Sequence, residues 1–483
     1  MLSFIKEHVW QILLGLNYLL AVIAAGTILL KKVNPTKTIT YIIVLLVFPF
    51  VGLVVYYLFG QEYRKTKIFD RKKVLNQKVI KRIKEEMELS DQDIKKVEEQ
   101  LDQQSKVVEL IYNSENSPLT INNQVEVLKN GEEKFKILVE DLNSAEHHIH
   151  LEYFIVKDDD LGRTILDILI EKSKDGLDIK LIVDDVGSKI SSQYKSKLKE
   201  SGVKLYPFMP VRFPKFTGKM NYRDHRKIVV IDGIIGYVGG INISNEYSNA
   251  KNDNYWRDTH LRIEGEAVKQ LQILFLTTYN FVTSDKLKIS DNYFPKCNDY
   301  KTLPIQIAAS GPDTDWANIM EGIFSAITNA KSYIYITTPY FIPNDEIFTA
   351  IQIAAKSGVE VKLIVPKNSD SWIAESATNS YIETMLTANV EVYQYTKGFI
   401  HTKTMVVDDI FTTIGTANFD YRSFEINFEV NAFIYDKKVT EALKSQFKLD
   451  LKDSKKLNLD GWNKRSRFLK YKESVARLMA PLL

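Results

Sequence analysis

The sequence predicts an α/β fold, with two tandem α/β sandwich domains related by pseudo-two-fold symmetry and preceded by an N-terminal two-helix transmembrane hairpin. Three observations carry the prediction. Two long uncharged runs open the chain. Strand-like and helix-like patterns alternate from about residue 116 onward. The second half then repeats the motifs of the first, which points to duplicated domains and not a solenoid, because the period is near 180 residues. The 483 residues are 45% hydrophobic, enough for real cores, which argues against a disordered chain. A single Cys excludes a disulfide-stapled module and a multi-cysteine zinc site.

Val9 to Leu30 and Thr38 to Gln61 carry no charged residue. Each is long enough for a helix across a hydrocarbon core of about 30 Å, and helices are expected over about 9–30 and 39–59. The short connector Lys31–Lys37 contains Pro35, so 1–61 reads as an antiparallel hairpin. Trp10, Tyr18, Tyr41, Tyr56 and Tyr57 lie mostly near the ends, where aromatic rings favour the interface. A signal peptide cleaved near Ala24-Ala25 is the competing reading, but it would leave the second run as an anchor directly after the cut. Three lysines in the connector face six Lys/Arg between Arg64 and Lys73. That bias places both ends of the hairpin, and the body that follows it, on the cytoplasmic side of the cell membrane. Residues 62–115, rich in Lys, Glu and Gln, are expected to form a charged, solvated helical connector.

The first domain is expected over 116–284, a polar linker over 285–303, and the second domain over 304–460. Ile149–Phe154 is echoed by Ile334–Phe341, and Gly176–Val183 by Gly358–Val365. The third match is the most informative. His225-x-Lys227-x4-Asp232 is echoed by His401-x-Lys403-x4-Asp408, with Gly239 and Gly415 following at 14 positions and Asn242 and Asn418 at 17. By composition about 0.1 copies of His-x-Lys-x4-Asp are expected by chance, so two copies with matching downstream residues mark a duplicated site.

His-x-Lys on a strand puts both side chains on one face. Two copies could bring two His, two Lys and two Asn to one cleft, which suits a phosphodiester. One imidazole can attack phosphorus, the other can protonate the leaving alkoxide, and the ammonium and amide groups stabilise developing charge. No metal or other cofactor is expected. A carboxylate behind an imidazole would orient it. The candidates are Asp258, 33 residues after His225, and Glu429, 28 after His401, paired by the repeat with the His of their own copy. The competing role for Asp258 is a salt bridge to Arg257 or Arg262. Asp232 and Asp408 stand at an odd offset from their Lys, so they read as orienting or structural members of the catalytic motifs. His147, His148, His150 and His260 read as structural.

These motifs identify the body as similar to the phospholipase D superfamily, and within it to bacterial cardiolipin synthases of the phospholipase D type. Further points of likeness are Tyr57-Leu58-Phe59-Gly60, Ile149-His150-Leu151-Glu152-Tyr153, Tyr255-Trp256-Arg257-Asp258-Thr259-His260, Thr338–Pro343 and Ala417–Phe424. Gly415-Thr416 departs from Gly239-Gly240 of the first copy and from the Gly-Ser common in the family, although Thr keeps the hydroxyl. The resemblance implies phospholipase D-like domains and transfer of a phosphatidyl group between two phosphatidylglycerol molecules, giving cardiolipin and glycerol through a phosphatidyl-His intermediate. It favours His225 as nucleophile and His401 as acid/base, whereas Glu429 behind His401 would argue the reverse.

Two further stretches suit phosphatidylglycerol and anionic membrane lipids as partners. Pro207 to Arg226 mixes aromatics with Arg212, Lys215, Lys219, Arg223 and Arg226. The tail over 461–483 combines six Lys/Arg with apolar residues and reads as a basic amphipathic helix at an interface, against the alternative of a helix docked on the body. Nucleic acid is not expected as a partner, and a homo-oligomer is compatible with the sequence. The rival readings are a membrane-bound phospholipase D that hydrolyses lipids, a membrane-tethered nuclease, and a catalytically dead scaffold. Intact His and Lys in both copies argue against the last.

Overall fold

The computed structural model describes residues 8–30, 35–48, 77–89, 101–115, 117–210, 222–251, 254–283 and 289–480, together with positions 50, 52, 93 and 97. The chain divides into an N-terminal unit and a body. In the N-terminal unit Val9–Leu30 forms a 22-residue helix, long and apolar enough to cross a membrane. A second helix, Pro35–Val47, has 13 residues and is too short to cross. The rest of the expected second span lies outside the described residues from 53 on. One membrane-length helix is therefore seen where two were expected. Ala21, Ile28 and Leu45 are buried where the two helices meet, and the small Ala21 permits that approach.

The first half of the body supplies β1 (Thr120–Lys129), β2 (His148–Tyr153), β3 (Asp178–Asp184), β4 (Lys204–Phe208), β5 (Lys227–Ile231), β6 (Ile235–Gly239), β7 (Trp256–Arg257) and β8 (Thr259–Gly265). The second supplies β9 (Thr302–Ser310), β10 (Tyr333–Thr337), β11 (Phe341–Ile342), β12 (Glu360–Pro366), β13 (Glu391–Tyr395), β14 (Phe399–Ile400), β15 (Thr404–Val407), β16 (Phe411–Gly415), β17 (Phe419–Asp420), β18 (Glu429–Ile434) and β19 (Ser454–Lys456). From the centre outward the first half runs β1-β8-β6-β5-β2-β3-β4 and the second β9-β18-β16-β15-β10-β12-β13, with β19 added at the rim. Antiparallel pairing of β1 with β9 fuses the two into one 15-stranded sheet. The matching orders about that central pair are the pseudo-two-fold relation expected of tandem domains.

Helices cover both faces, so the central strands are apolar on both sides. In β5, Val229 and Ile231 pack with helices 130–144 and 160–174, while Ile228 and Val230 turn to the other face. There helices 267–282 and 437–452 build a single core that runs unbroken across both halves. The connector is not simply solvated. Val97, Leu101, Val107 and Ile111 are buried in the core of the second half, against the 318–328 helix.

Asp232 and Asp408 lie at the far ends of β5 and β15 from the lysines. Asp232 accepts the main-chain N–H groups of Glu146, His147 and His148, each at 2.8 Å. Asp408 does the same for Lys331, Ser332 and Tyr333. Both have positive φ, 53° and 51°, a conformation that Asp tolerates better than most residues. They tie the start of β2 and of β10 to the neighbouring strand. Asp232→Ala or Asp408→Ala is expected to cost about 1–3 kcal/mol of stability, since unpaired main-chain donors carry that penalty. A thermal-unfolding series should show the loss, with turnover per folded molecule largely kept.

Candidate active site

The two His-x-Lys segments meet where the halves face each other. Neither His lies within a regular sheet strand: β5 begins at Lys227 and β15 at Thr404. Each imidazole instead stands on an extended segment tied to the other half. His225 N–H donates to Phe428 O at 2.9 Å, beside a bridge between Asp224 and Phe428. His401 N–H donates to Arg257 O at 2.7 Å, next to the parallel pairing of β14 with β7.

Phe428 and Arg257 immediately precede Glu429 and Asp258, and this decides which carboxylate each imidazole meets. His225 Nδ1 lies 3.0 Å from both carboxylate oxygens of Glu429, and His401 Nδ1 lies 2.8 Å from Oδ2 of Asp258. The pairing inferred from spacing is therefore crossed: each half orients the imidazole of the other. Salt bridges do not claim Asp258, because Arg257 pairs with Asp450 at 3.0 Å and Arg262 with Asp141 at 2.6 Å.

Electrostatics follow from burial and charge. Burial pushes Glu429 up, but His225, Lys227 and the Thr416 hydroxyl more than offset it and hold the carboxyl below its ordinary range. The same balance, struck by His401 and Lys403, keeps Asp258 low. Burial lowers His225, with Glu429 opposing. Burial and then Lys403 lower His401 to about 4. Both imidazoles are thus neutral at pH 7. With an ionised carboxylate at Nδ1, the proton sits on that nitrogen and Nε2 keeps its lone pair. Burial lowers Lys227 to about 7 and Lys403 to about 8, although Glu429 and Asp258 both pull upward. Each ammonium turns back to its own His carbonyl, at 2.8 and 2.6 Å.

Asn242 receives Ile155 N–H at Oδ1 and donates from Nδ2 to the Tyr247 hydroxyl. Asn418 donates to Asp420 at 2.9 Å. Since an amide carries two N–H groups, each Asn retains a second. Among the described residues no group of three or more His, Cys, Asp or Glu is arranged to hold a metal ion. His148 and His150 are buried on Gln272, and His260 accepts Ile241 N–H, all in structural roles. Arg223 and Arg226 do not form a surface patch. Arg226 is 1% exposed, donates to Glu429 O and stands 3.7 Å from Glu152, while Arg223 is buried against Asp184. Arg212, Lys215 and Lys219 lie outside the described residues.

The sequence did not reveal several neighbours of the site. The Thr416 hydroxyl donates to Glu429. At the equivalent Gly240, a Cβ would come 2.2 Å from Asp258 Oδ1, so the two dyads are chemically unequal. Phe154 lies edge-on to His225 with centroids 5.1 Å apart, and Trp256 flanks His401 at the same distance. Behind His225, burial raises Glu152 to about 7, with Arg226 and hydrogen bonds from Thr278 and Asp224 opposing. Burial and then the Glu152 charge raise Asp224 well above the carboxylate range, with Arg226 again opposing. A Glu in a strand buried on both faces, as in β2, was the available signal for that pair.

Comparison with known proteins adds three findings. The model for "Cardiolipin synthase, PLD-like domain" matches 138–276 and 323–451, and that for "Phospholipase D-nuclease N-terminal" matches 19–61. The cardiolipin synthase of Alkalihalophilus pseudofirmus is 40% identical over 97% of this chain and 94% of its own, and cardiolipin synthase 2 of Bacillus cereus is 42% identical over 94% and 88%. Phosphatidylserine synthase of Haemophilus influenzae shares the fold, with a TM-score of 0.60 at 16% identity over 78% of this chain and all of its own.

The crossed geometry has a spectroscopic consequence. Glu429→Gln removes the charge that raises His225, so the His225 pKa should fall further while that of His401 stays. Asp258→Asn should do the reverse. Titrations of 15N-labelled histidine will report this, and an Asp258→Asn response at His225 would contradict the crossed arrangement.

Proposed function

Because the chain belongs to the phospholipase D-type cardiolipin synthases, we propose that the two crossed dyads form one phosphodiester site with His225 as nucleophile and His401 as acid and base. The reaction is phosphatidyl transfer: two phosphatidylglycerol molecules give cardiolipin and glycerol. His225 Nε2 attacks phosphorus, the bond from phosphorus to the glycerol oxygen breaks, and protonated His401 gives its proton to that oxygen. His401 then takes the proton from the terminal hydroxyl of a second phosphatidylglycerol. The freed oxygen attacks phosphorus and His225 leaves. An anionic phosphodiester beside His401 and Lys403 raises their proton affinity, so the acid forms as substrate binds. Lys227, Lys403 and the second N–H groups of Asn242 and Asn418 stabilise the phosphoryl oxygens.

The observation that carries this reading is the pair of imidazoles, each held at Nδ1 by a buried carboxylate. The choice of His225 is supported by Glu429, which faces Nδ1 with both oxygens and is itself held by Thr416. That arrangement steadies the positive charge a phosphatidyl-imidazole carries. We place the body on the cytoplasmic side, anchored by a two-helix hairpin of which Val9–Leu30 is the first member; the Lys/Arg bias around the uncharged runs supports that orientation.

Purified protein given phosphatidylglycerol should release glycerol and cardiolipin in equal amounts, read by mass spectrometry; phosphatidic acid as the main product would mean water is the acceptor. His225→Ala and His401→Ala should each abolish turnover, and a phosphatidyl adduct should be trapped on His225 alone. The pH profile follows from the lysines. As pH rises through about 7 to 8, Lys227 and Lys403 lose their protons in the free enzyme. kcat/KM should therefore decline across that range, and a profile flat to pH 10 would contradict the role given to the two ammonium groups.

A further inference from the structure

We infer that the C-terminal helix Arg467–Leu478, together with Trp372, is a docking face for an anionic lipid bilayer. The helix is amphipathic twice over. Its inner side is committed to the body: Glu473 and Ala476 are buried, Arg465 pairs with Glu473, and the helix packs along Trp372–Thr387. Its outer side presents Phe468, Tyr471, Val475 and Leu478, spaced by three and four residues, so they fall in one stripe about 80° wide. Phe468 is 78% and Leu478 81% exposed, and Trp372 on the neighbouring helix is 62% exposed. Water is a poor environment for such a row, and a stripe of this kind on a folded surface marks an interaction site.

Charge selects the occupant. Arg467 and Lys472 flank the stripe on its two sides, and Lys472 Nζ lies 4.9 Å from the Trp372 ring centroid. Aromatic rings edged by cations match a headgroup layer of phosphate anions over acyl chains. The position is also apt. Helix Trp372–Thr387 starts two residues after Asp370, which accepts from the Tyr340 hydroxyl at 2.7 Å and acts electrostatically on Lys403. The docking face therefore begins two residues along the chain from Asp370. A lipid could then offer its headgroup while its acyl chains stay in the bilayer, an extension that rests on the proposed lipid chemistry.

The test uses the full chain with Cys297→Ser, a single probe cysteine at Leu478→Cys carrying an environment-sensitive fluorophore, and a control at Lys455→Cys. The protein is reconstituted in phosphatidylcholine vesicles with or without phosphatidylserine, with brominated acyl chains as quencher. Strong quenching at 478, absent at 455 and weakened by high salt or by omitting phosphatidylserine, is expected. Equal signals at the two positions, or a probe shielded without bromine quenching as beneath a protein partner, would overturn the inference. In parallel, Phe468→Glu with Leu478→Glu should cut turnover of bilayer phosphatidylglycerol about tenfold and leave a soluble short-chain analogue unaffected. Equal loss on both substrates would also overturn it. Wild type that makes no cardiolipin would sink the proposed function instead, leaving the quenching to decide the docking face.

Discussion

Two main-chain hydrogen bonds organise this molecule: His225 N–H to Phe428 O and His401 N–H to Arg257 O. Each hands one half's imidazole to the other half's carboxylate, one residue along. Because the donors are backbone groups, the contact does not depend on side-chain rotamers and inherits the rigidity of the strands beside it. The antiparallel β1–β9 seam and the shared core under helices 267–282 and 437–452 hold the halves in the register these bonds require. A packed interior near crystalline density leaves little slack for them to slide.

The cost of the arrangement is a concentration of buried charge. Two carboxylates, two lysines and two imidazoles share a volume with little water, and burial alone would neutralise most of them. Mutual pairing keeps Glu429 and Asp258 ionised, while Lys227 and Lys403 are left close to losing their protons. Such a site is poised to receive an anion, since a phosphodiester supplies the counter-charge the ammonium groups lack.

Much of this was legible in the sequence, for physical reasons. Repeated strand-like segments located the β2/β10 and β3/β12 pairs, and the duplicated spacing picked out the His and Lys residues that the structure brings together. The partners of the two imidazoles were a different matter. Spacing identifies equivalent residues, but equivalence about a two-fold axis does not say whether a contact stays within a half or crosses to its mate, and here it crosses. Asp232 and Asp408 belong to the repeated motifs, yet their carboxylates serve the backbone at the start of β2 and β10. Arg226 read as a headgroup contact because the sequence shows charge and not burial. The tail was posed as either interfacial or docked, and the helix has one face for docking and another left bare.

The crossed dyads also bear on how such a chain came to exist. A single copy of the half-domain holds an imidazole without its carboxylate and a carboxylate without its imidazole, so it completes a site only by meeting a twin. Joining two copies in one polypeptide replaces that encounter with an intramolecular one, at an effective concentration set by the linker and no longer by abundance. It also releases the copies from identity. Once the two positions are encoded separately, one can keep a glycine where the other takes a threonine, and one a short acid where the other takes a long acid, as Gly240 and Asp258 stand against Thr416 and Glu429. Two imidazoles in equivalent positions can then divide attack and proton transfer between them.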